Sequence, residues 1–483
     1  MKKLFSTLLA CILFQVLVPG QSCLPEGITF ESQDQIDNFH INYPGCTQIE
    51  GDVYIHGIQI SNLLGLDGVT SIGGDLEMYV TLVTNLEGLN DLGTVGGSIR
   101  IKQNRRITTM AALNNLESVG GTFDLYYSDT LTTLNGLENL TTIGDTLSIQ
   151  HCDTLQEISA LSNLTTVGGL LFIYYNEALT TLDGLNGLDS IGGNVYIYNN
   201  DSLMDISFLG NFDTIHGSLS LGHNDILPNL HGLEHLKCIE GGLYIANDDM
   251  LVTLAGLDSL TSVGEYLTVG NTNTGGNESI VSLAGLNNLK TVGTHLMISR
   301  NPYLVDLSAL MGLESIGGDI DMYHNIGLTS LNGLDNINYK TIVNLTITNN
   351  SNLSDCAVES ICMYIDEPNG TIDVHDNATG CDTEEEIDES CGSIFIPELS
   401  DLTFKVMPNP SSGRFIFYFE SLPHPVRVEI ITNTGQVVGK FDIGNERLTD
   451  QGVVWDATGM PPGIYFYRIL DDRVIAAGKI IRQ

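Results

Sequence analysis

The stretch from Leu179 to Asn200, LTTLDGLNGLDSIGGNVYIYNN, decides the fold. Its anchor is Ile191, which is followed by two glycines and then by Val195 and Ile197, each paired with a tyrosine. Apolar residues two positions apart predict a strand with one buried face. The leucines before the anchor are spaced by three residues, which disfavours a regular amphipathic α-helix and favours short 3₁₀ or extended turns.

The same pattern recurs from about residue 49 to about residue 350. Its steps are 23 or 24 residues, apart from one of 29 and a last one of 26. The successive anchors are Ile49, Ile72, Val95, Val119, Ile143, Val167, Ile191, Ile215, Ile239, Val263, Val292, Ile316 and Ile342. Such a repeat predicts stacked coils with one shared interior. We therefore expect residues 49–350 to form a mainly β, right-handed β-helix-like solenoid of about 12–13 coils, with one long parallel sheet.

Asparagine stands about nine residues after many of the anchors, just beyond the predicted strand. These side chains are expected to hydrogen-bond backbone groups of adjacent coils and so form an internal ladder. The residues are Asn104, Asn176, Asn200, Asn224, Asn301 and Asn325.

The N-terminus and the charge indicate an exported protein. Residues 1–22 combine two lysines, an apolar run and a plausible cleavage zone, which is typical of a secretory signal peptide. No later apolar run approaches the roughly 18 residues of a transmembrane helix. The chain has 59 acidic and 19 basic residues, a net charge of −40, which opposes binding to nucleic acid or to an anionic membrane surface.

The cysteines indicate disulfide-bonded ends. Cys23 and Cys46 flank an N-terminal cap, residues 23–48, and in an exported protein they are expected to be oxidised. The C-terminal cap, residues 351–391, contains four more candidates, for which three pairings are possible: Cys356, Cys362, Cys381 and Cys391. Cys152 and Cys238 are more than three repeats apart, too far to pair with each other, and are expected to be two buried thiols.

The composition changes after the caps. Residues 392–401 are predicted to be a linker, and residues 402–483 lack cysteine and the 24-residue period. Their alternating apolar segments, with turns at Asn409-Pro410, Thr434-Gly435 and Pro461-Pro462-Gly463, predict a small antiparallel β-sandwich.

The repeat LxxLxGLxxLxxVGGxLxIxxN resembles the leucine-rich repeat superfamily and is most similar to its receptor L-domain branch. The resemblance covers about 300 residues and recurs in register about a dozen times. It implies binding rather than catalysis. The chain lacks the cysteine-rich modules, transmembrane helix and kinase of the animal receptors, so the resemblance does not imply a signalling receptor.

Residues 402–483 resemble the type A C-terminal sorting domain of the type IX secretion system of Bacteroidetes. The residues that carry this resemblance are Pro408, Asn409, Pro410, Gly413, Gly435, Pro462, Gly463, Tyr465, Gly478 and Lys479. The resemblance implies export across the outer membrane by the type IX machinery and removal of the domain by a sortase-like protease. The remaining protein is then expected to be attached to the outer cell surface or released.

No motif predicts a catalytic, metal or cofactor site. His231, Glu234 and His235 match HxxEH, a zinc-protease motif that requires a helix. Here the motif lies in the leucine register of a repeat, where no helix is expected, so we predict no metal site. We also predict that the protein is not an enzyme and uses no cofactor.

The outward row of the predicted sheet, five and seven residues after each anchor, is rich in aromatic residues. Rigid aromatic rings with a polar tip suit recognition of proteins or sugars. The alternative is that tyrosine is there for its β-propensity and its cross-strand stacking, which does not exclude binding. The candidate ligand-binding residues are Tyr126, Phe172, Tyr174, Tyr196, Tyr198 and Tyr244.

The sequence therefore predicts a cell-surface binding or adhesion protein that recognises a protein or a polysaccharide through the solenoid sheet. One alternative is a glycan-degrading enzyme on a β-helical scaffold, for which the outward row offers mainly Glu77, Arg100, Lys102 and Asp124 and no histidine–carboxylate set. Another is an architectural surface-layer protein. The sequence leaves the ligand and the final mode of attachment open.

Overall fold

The computed structural model describes residues 21–271, 275–392, 404–419, 426–432, 436–443, 453–470 and 474–483. It divides the chain into two compact units, residues 1–387 and 388–483. Residues 1–20 of the predicted signal peptide and 393–401 of the predicted linker lie outside the described residues.

The first unit is built on a 15-stranded parallel sheet, which we call the long sheet. Equivalent positions of successive repeats pair directly, as Ile173 does with Ile197. The predicted solenoid architecture is confirmed. The strands are Ile28–Phe30, Val53–His56, Leu76–Tyr79, Ile99–Lys102, Phe123–Tyr126, Leu147–Gln150, Leu171–Tyr174, Val195–Tyr198, Leu219–Gly222, Leu243–Ala246, Leu267–Gly270, Leu296–Ser299, Ile320–Tyr323, Leu345–Thr348 and Ile372–His375.

The anchors form two further parallel sheets of short strands, so that Ile143, Val167 and Ile191 lie next to one another on consecutive strands. The eight strands of the first are Gln21–Cys23, Cys46–Ile49, Ser71–Ile72, Thr94–Val95, Ser118–Val119, Thr142–Ile143, Thr166–Val167 and Ser190–Ile191. The five strands of the second are Thr214–Ile215, Cys238–Ile239, Ser262–Val263, Thr291–Val292 and Ser315–Ile316.

The turns between the sheets contain short 3₁₀ helices, as the three-residue leucine spacing predicts. They span Leu64–Leu66, Ala111–Leu113, Ser159–Leu161, Asp183–Leu185, Ser207–Asn211, Ser308–Leu310 and Tyr339–Thr341. The glycine that follows most of the anchors allows close stacking: a side chain at Gly192 would collide with the carbonyl oxygen of Gly168 in the preceding coil.

Most strands of the long sheet end at a residue in the left-handed conformation, which we call the turn position. The residues at this position that are not glycine are Val80, Gln103, Tyr127, His151, Tyr175, Asn199, His223, Asn247, Arg300, His324, Asn349 and Asp376. A left-handed residue ends the two-residue alternation of the strand. The chain then enters the interior at the next position.

That next residue belongs to the predicted asparagine ladder, which the structure confirms. The backbone N–H and Nδ2 of Asn176 both donate to Oδ1 of Asn200, at 3.2 and 3.1 Å. Asn200 donates in the same way to Asn224. Nδ2 of Asn200 and of Asn224 also donates to a carbonyl oxygen 27 residues earlier, at 3.1 and 3.0 Å. The ladder satisfies buried backbone groups at every turn it occupies.

Four α-helices occur among the described residues: Gln33–Asp37, Phe39–Asn42, Glu359–Asp366 and Glu384–Cys391. Disulfides join Cys23 to Cys46 and Cys356 to Cys381. Cys362 and Cys391 are also disulfide-bonded.

The remaining two described cysteines, Cys152 and Cys238, are free thiols. Cys152 is buried, as predicted, whereas Cys238 is partly exposed, so the prediction of a buried thiol was wrong there. Cys238 precedes the anchor Ile239 in a two-residue strand, and because side chains alternate along a strand only Ile239 points into the interior.

The described strands of the second unit form the predicted antiparallel β-sandwich. One sheet contains Phe404–Met407, Arg414–Phe419 and Val453–Asp456. The other contains Val437–Ile443, Val426–Thr432, Gly463–Leu470 and Val474–Arg482, in that spatial order. Trp455 lies in the core between them, with its ring centroid 5.5 Å from that of Phe415 and 5.4 Å from that of Tyr465.

Candidate binding surface

The long sheet brings the predicted aromatic row together because its strands pair without a shift in register. Phe172 lies opposite Tyr196, and Tyr174 opposite Tyr198. Neighbouring strands of a sheet are about 4.8 Å apart, so side chains at equivalent positions are in contact distance. The six candidates nevertheless fall into two separate groups.

The first group, which we call the aromatic patch, has seven rings in a chain of mutual contacts. The rings of Phe172 and Tyr174 are stacked at 5.2 Å, and Phe172 meets Tyr196 edge-to-face at 6.1 Å. The full set is Tyr126, Tyr127, His151, Phe172, Tyr174, Tyr175 and Tyr196. Four of the six predicted residues therefore belong to one surface.

Three members of the patch were not predicted: Tyr127, His151 and Tyr175. They occupy the turn position of consecutive coils, and their rings form a nearly parallel column. The ring centroids of Tyr127 and His151 are 4.5 Å apart with 16° between planes, and those of His151 and Tyr175 are 4.8 Å apart with 8°. The left-handed turn places this column beside the strand-end rings Tyr126 and Tyr174, at 4.4 and 4.5 Å.

An arginine covers one end of this column. The guanidinium of Arg105 lies 5.2 Å from the ring centroid of Tyr127, a cation–π contact. Its Nε is 3.4 Å from Oδ2 of Asp129. The aromatic ring and the carboxylate thus hold the same cationic group.

The second group contains Tyr198 and Tyr244, whose ring centroids are 5.9 Å apart. The ring of Tyr198 lies over Gly222, in the space that a side chain there would occupy. Burial is the main cause that raises the pKa of both phenols. These two predicted residues therefore fill the sheet surface over a small neighbour, and among the described residues their rings pair with each other and with no ring of the aromatic patch.

The charged residues next to the patch are already paired. Arg100 forms a short ion pair with Asp75, and Nζ of Lys102 lies 3.6 Å from Asp124. Burial opposes ionisation of Asp75, but hydrogen bonds from the Ser98 amide and from Arg100 outweigh it and lower the pKa of that carboxyl. Asp124 also accepts a hydrogen bond from Ser148 at 2.7 Å. These outward-facing charged side chains are therefore partners in ion pairs with one another.

The HxxEH residues lie in turns, and no helix spans positions 231–235. Nδ1 of His231 lies 2.5 Å from Oε1 of Glu234, which accounts for the pair as a local contact. Within the described ranges, no group of three or more histidine, cysteine, aspartate or glutamate side chains is arranged to hold a metal ion.

In the second unit, the structure joins the first and last of the motifs that sequence comparison singled out. Nδ2 of Asn409 donates to the carbonyl of Lys479 at 2.7 Å, and Oδ1 accepts from the amide of Ile481 at 2.9 Å. The hydroxyl of Tyr465 donates to the carbonyl of Pro461 at 2.8 Å and closes the turn before its strand. A side chain at Gly478 would collide with the ring of Tyr467.

Pro408, Pro410 and Gly413 flank Asn409 in the loop that leads to the strand Arg414–Phe419. Pro462 and Gly463 form the turn before Tyr465, and Gly435 lies outside the described residues. Residues 405–483 match the family model of the secretion system C-terminal sorting domain. This sorting domain confirms the predicted resemblance for the C-terminal part of the chain, and it indicates export by type IX secretion to the outer cell surface.

No curated protein matches the chain. The resemblance of the solenoid to leucine-rich repeat and L-domain proteins therefore stays a prediction. None of the helices in the described part of the chain is long and apolar enough to cross a membrane.

Proposed function

We propose that this is a cell-surface binding or adhesion protein, not an enzyme, whose solenoid recognises a protein or a polysaccharide through the aromatic patch. The sorting domain delivers the solenoid to the surface, where a sortase-like protease removes the sorting domain. The solenoid itself is proposed to be an L-domain-like member of the leucine-rich repeat superfamily.

The observation that supports this proposal is the continuity of the seven rings on one outer face. Tyrosine provides a large contact area at low conformational cost, together with a hydroxyl group for hydrogen bonding. The patch is built on paired strands and on turns fixed by the buried ladder, so its rings need little ordering when a partner binds. The column of Tyr127, His151 and Tyr175 lies at turn positions, where most coils carry a polar residue.

The alternatives predict different surfaces. A glycan-degrading enzyme needs converging acid and base groups, but Arg100, Lys102 and Asp124 are held in ion pairs. A purely architectural coil needs no ring cluster confined to a few neighbouring coils. Neither alternative has an observation of its own in its favour.

An array of glycans and surface proteins, probed with the purified chain, tests the proposal. Saturable binding without turnover supports the proposal, whereas turnover supports an enzyme. The absence of both binding and turnover supports an architectural protein. The matched variant replaces Tyr127, His151 and Tyr175 by Asn, the residue that Asn199 and Asn247 already provide at this left-handed position. We call it the triple-Asn variant, and it should lose the signal that the wild type gives.

A control variant carries Val80→Asn and His324→Asn, two turn positions outside the patch. It should bind like the wild type. Equal loss in both variants would mean that the turn, and not the rings, supports binding.

A further inference from the structure

We infer that the partner is a basic protein surface, and that an Arg or Lys side chain of it binds on the exposed part of the Tyr175 ring, beside Glu177 and Asp201. This inference rests on the proposed function, because it names the chemistry of the partner of the same patch.

The first observation is a column of acidic residues beside the aromatic column. The residue that follows the ladder position is acidic in seven consecutive coils: Asp129, Asp153, Glu177, Asp201, Asp225, Asp249 and Glu278. Successive members are one coil apart, which is about 4.8 Å along a parallel sheet. Burial and then the neighbour Asp129 raise the pKa of Asp153, so the carboxylates repel one another. A cation among them relieves that repulsion.

The second observation is that the chain already binds one such cation itself. Arg105 occupies the position of the acidic column in the coil before Asp129. Its guanidinium contacts both the face of Tyr127 and the carboxylate of Asp129. A ring at the turn position and an acid two residues later thus form a seat for a guanidinium. Tyr175 and Glu177 have the same two-residue spacing at the other end of the column.

The third observation is that, among the described residues, no cation contacts the ring of Tyr175 at this other end. The ring of Tyr175 stacks on His151 on one side, at 4.8 Å. The next residue at the turn position is Asn199, which carries neither a ring nor a cation, and the side chain of Tyr175 is 38% exposed. Asp201 follows two residues after Asn199, so a cationic group on this ring would have two successive members of the acidic column, Glu177 and Asp201, beside it.

Charge complementarity decides between a basic and an acidic partner. Only eight basic residues lie between Cys23 and Cys391, and four of them fall within residues 100–106. Three of those four are paired with Asp75, Asp124 and Asp129. The surface around the patch therefore offers free carboxylates and few free cations. With a net charge of −40, the chain also steers basic partners towards itself.

Titration of the purified full chain with nona-arginine and nona-glutamate peptides tests the inference. We expect nona-arginine to bind with an affinity that falls as salt increases, and nona-glutamate not to bind. Tyr175→Asn and the double variant Glu177→Gln/Asp201→Asn should each weaken nona-arginine binding about tenfold.

Matched controls separate this seat from diffuse attraction to an acidic protein. Tyr303→Asn removes a tyrosine that is 60% exposed and far from the patch in sequence. Glu117→Gln/Asp189→Asn removes two exposed acids, each two residues before an anchor, on another side of the coil. Both controls should bind nona-arginine within about twofold of the wild type, with unchanged thermal unfolding.

Equal weakening in the seat variants and the controls would overturn the inference, because binding would then be spread over the whole acidic surface. Binding of nona-glutamate, or of a neutral glycan in place of nona-arginine, would also overturn it. If an array ligand is lost in the triple-Asn variant while nona-arginine does not distinguish seat from control, the inference fails and the proposed function stands. If the triple-Asn variant keeps every array ligand, the proposed function fails as well.

Discussion

Asp248 takes the place of an asparagine in the buried ladder, and replacing it by Asn should make the stability of the solenoid less dependent on pH. Asp248 is fully buried. Its Oδ1 accepts from the backbone N–H and from Nδ2 of Asn224, at 2.9 and 3.3 Å. Its Oδ2 is buried and has no hydrogen-bond partner among the residues that the structure describes.

The neighbouring ladder residues show what that atom replaces. In Asn200 and Asn224 the equivalent atom is Nδ2, which donates to a strand carbonyl. Oδ2 of Asp248 can make such a bond only when it carries a proton. Burial raises the pKa of Asp248 from 3.8 to about 7, and the nearby carboxylates of Asp225 and Asp249 act in the same direction.

The sign and size of the effect follow from this shift. The folded-state pKa lies above the unfolded value, so the folded protein binds the proton more tightly and stability falls as pH increases from about 4 to about 7. The full loss is roughly 4 kcal/mol, at 1.36 kcal/mol per pKa unit. Between pH 5 and pH 8 the stability advantage of Asp248→Asn should widen by roughly 2 to 3 kcal/mol.

Amide hydrogen exchange is the suitable assay, since repeat proteins open locally and a single global unfolding energy is not well defined for them. Wild type and variant are compared at equal pH, which cancels the intrinsic pH dependence of exchange. Peptides containing Asn224 and Asp248 should be more protected in the variant at pH 8 than at pH 5, relative to the wild type. An equal difference at both pH values would refute the reasoning.

Three further predictions follow from single positions. Gly168→Ala places a methyl group against the carbonyl of Gly144 and should cost about 2 to 3 kcal/mol, seen as a lower thermal midpoint. Gly93→Ala, where the nearest atom is 3.7 Å away, should be nearly neutral, and equal effects would contradict the packing account. Burial raises the pKa of Cys152 to about 12, so iodoacetamide at pH 8 should label Cys238 first and Cys152 only after unfolding, as mass spectrometry can show. Asn409→Ala removes both hydrogen bonds to the last strand and should destabilise the sorting domain by about 1 to 3 kcal/mol. Immunoblots of surface fractions should then show less protein at the cell surface, and normal export would contradict this prediction.

The periodic features of the fold could be predicted from the sequence because each coil repeats the same local chemistry. The alternation at Val195 and Ile197 predicts the strand Val195–Tyr198, and the three-residue spacing predicts 3₁₀ turns such as Asp183–Leu185. Asn200 predicts its ladder bonds in the same way. In each case the repeat places the same residue in the same surroundings.

What could not be predicted depends on how neighbouring coils differ. The alternation of the strand ends at Tyr174. The local sequence does not show that the left-handed conformation of Tyr175 places its ring beside that of Tyr174. The recurrence of rings at the turn position, Tyr127, His151 and Tyr175, was the available signal. Tyr198 lies on the sheet because Gly222 in the next coil leaves space for it.

The disulfide pairing of the C-terminal cap could not be predicted from the sequence either. Cys356 and Cys381 are 25 residues apart in sequence but their Cα atoms are 5.6 Å apart, because the chain passes through a helix and one more strand between them. Spacing alone allowed three pairings, and only the path of the chain selects among them.

The affinity ratio between the triple-Asn variant and the wild type, measured in solution for the strongest ligand from the array, tests the central claim most directly. If the column of Tyr127, His151 and Tyr175 is the binding surface, the variant should bind about 30-fold more weakly, a loss of roughly 2 kcal/mol or more. The Val80→Asn/His324→Asn control should bind as the wild type does. An unchanged affinity in the triple-Asn variant, with normal folding, would contradict the claim.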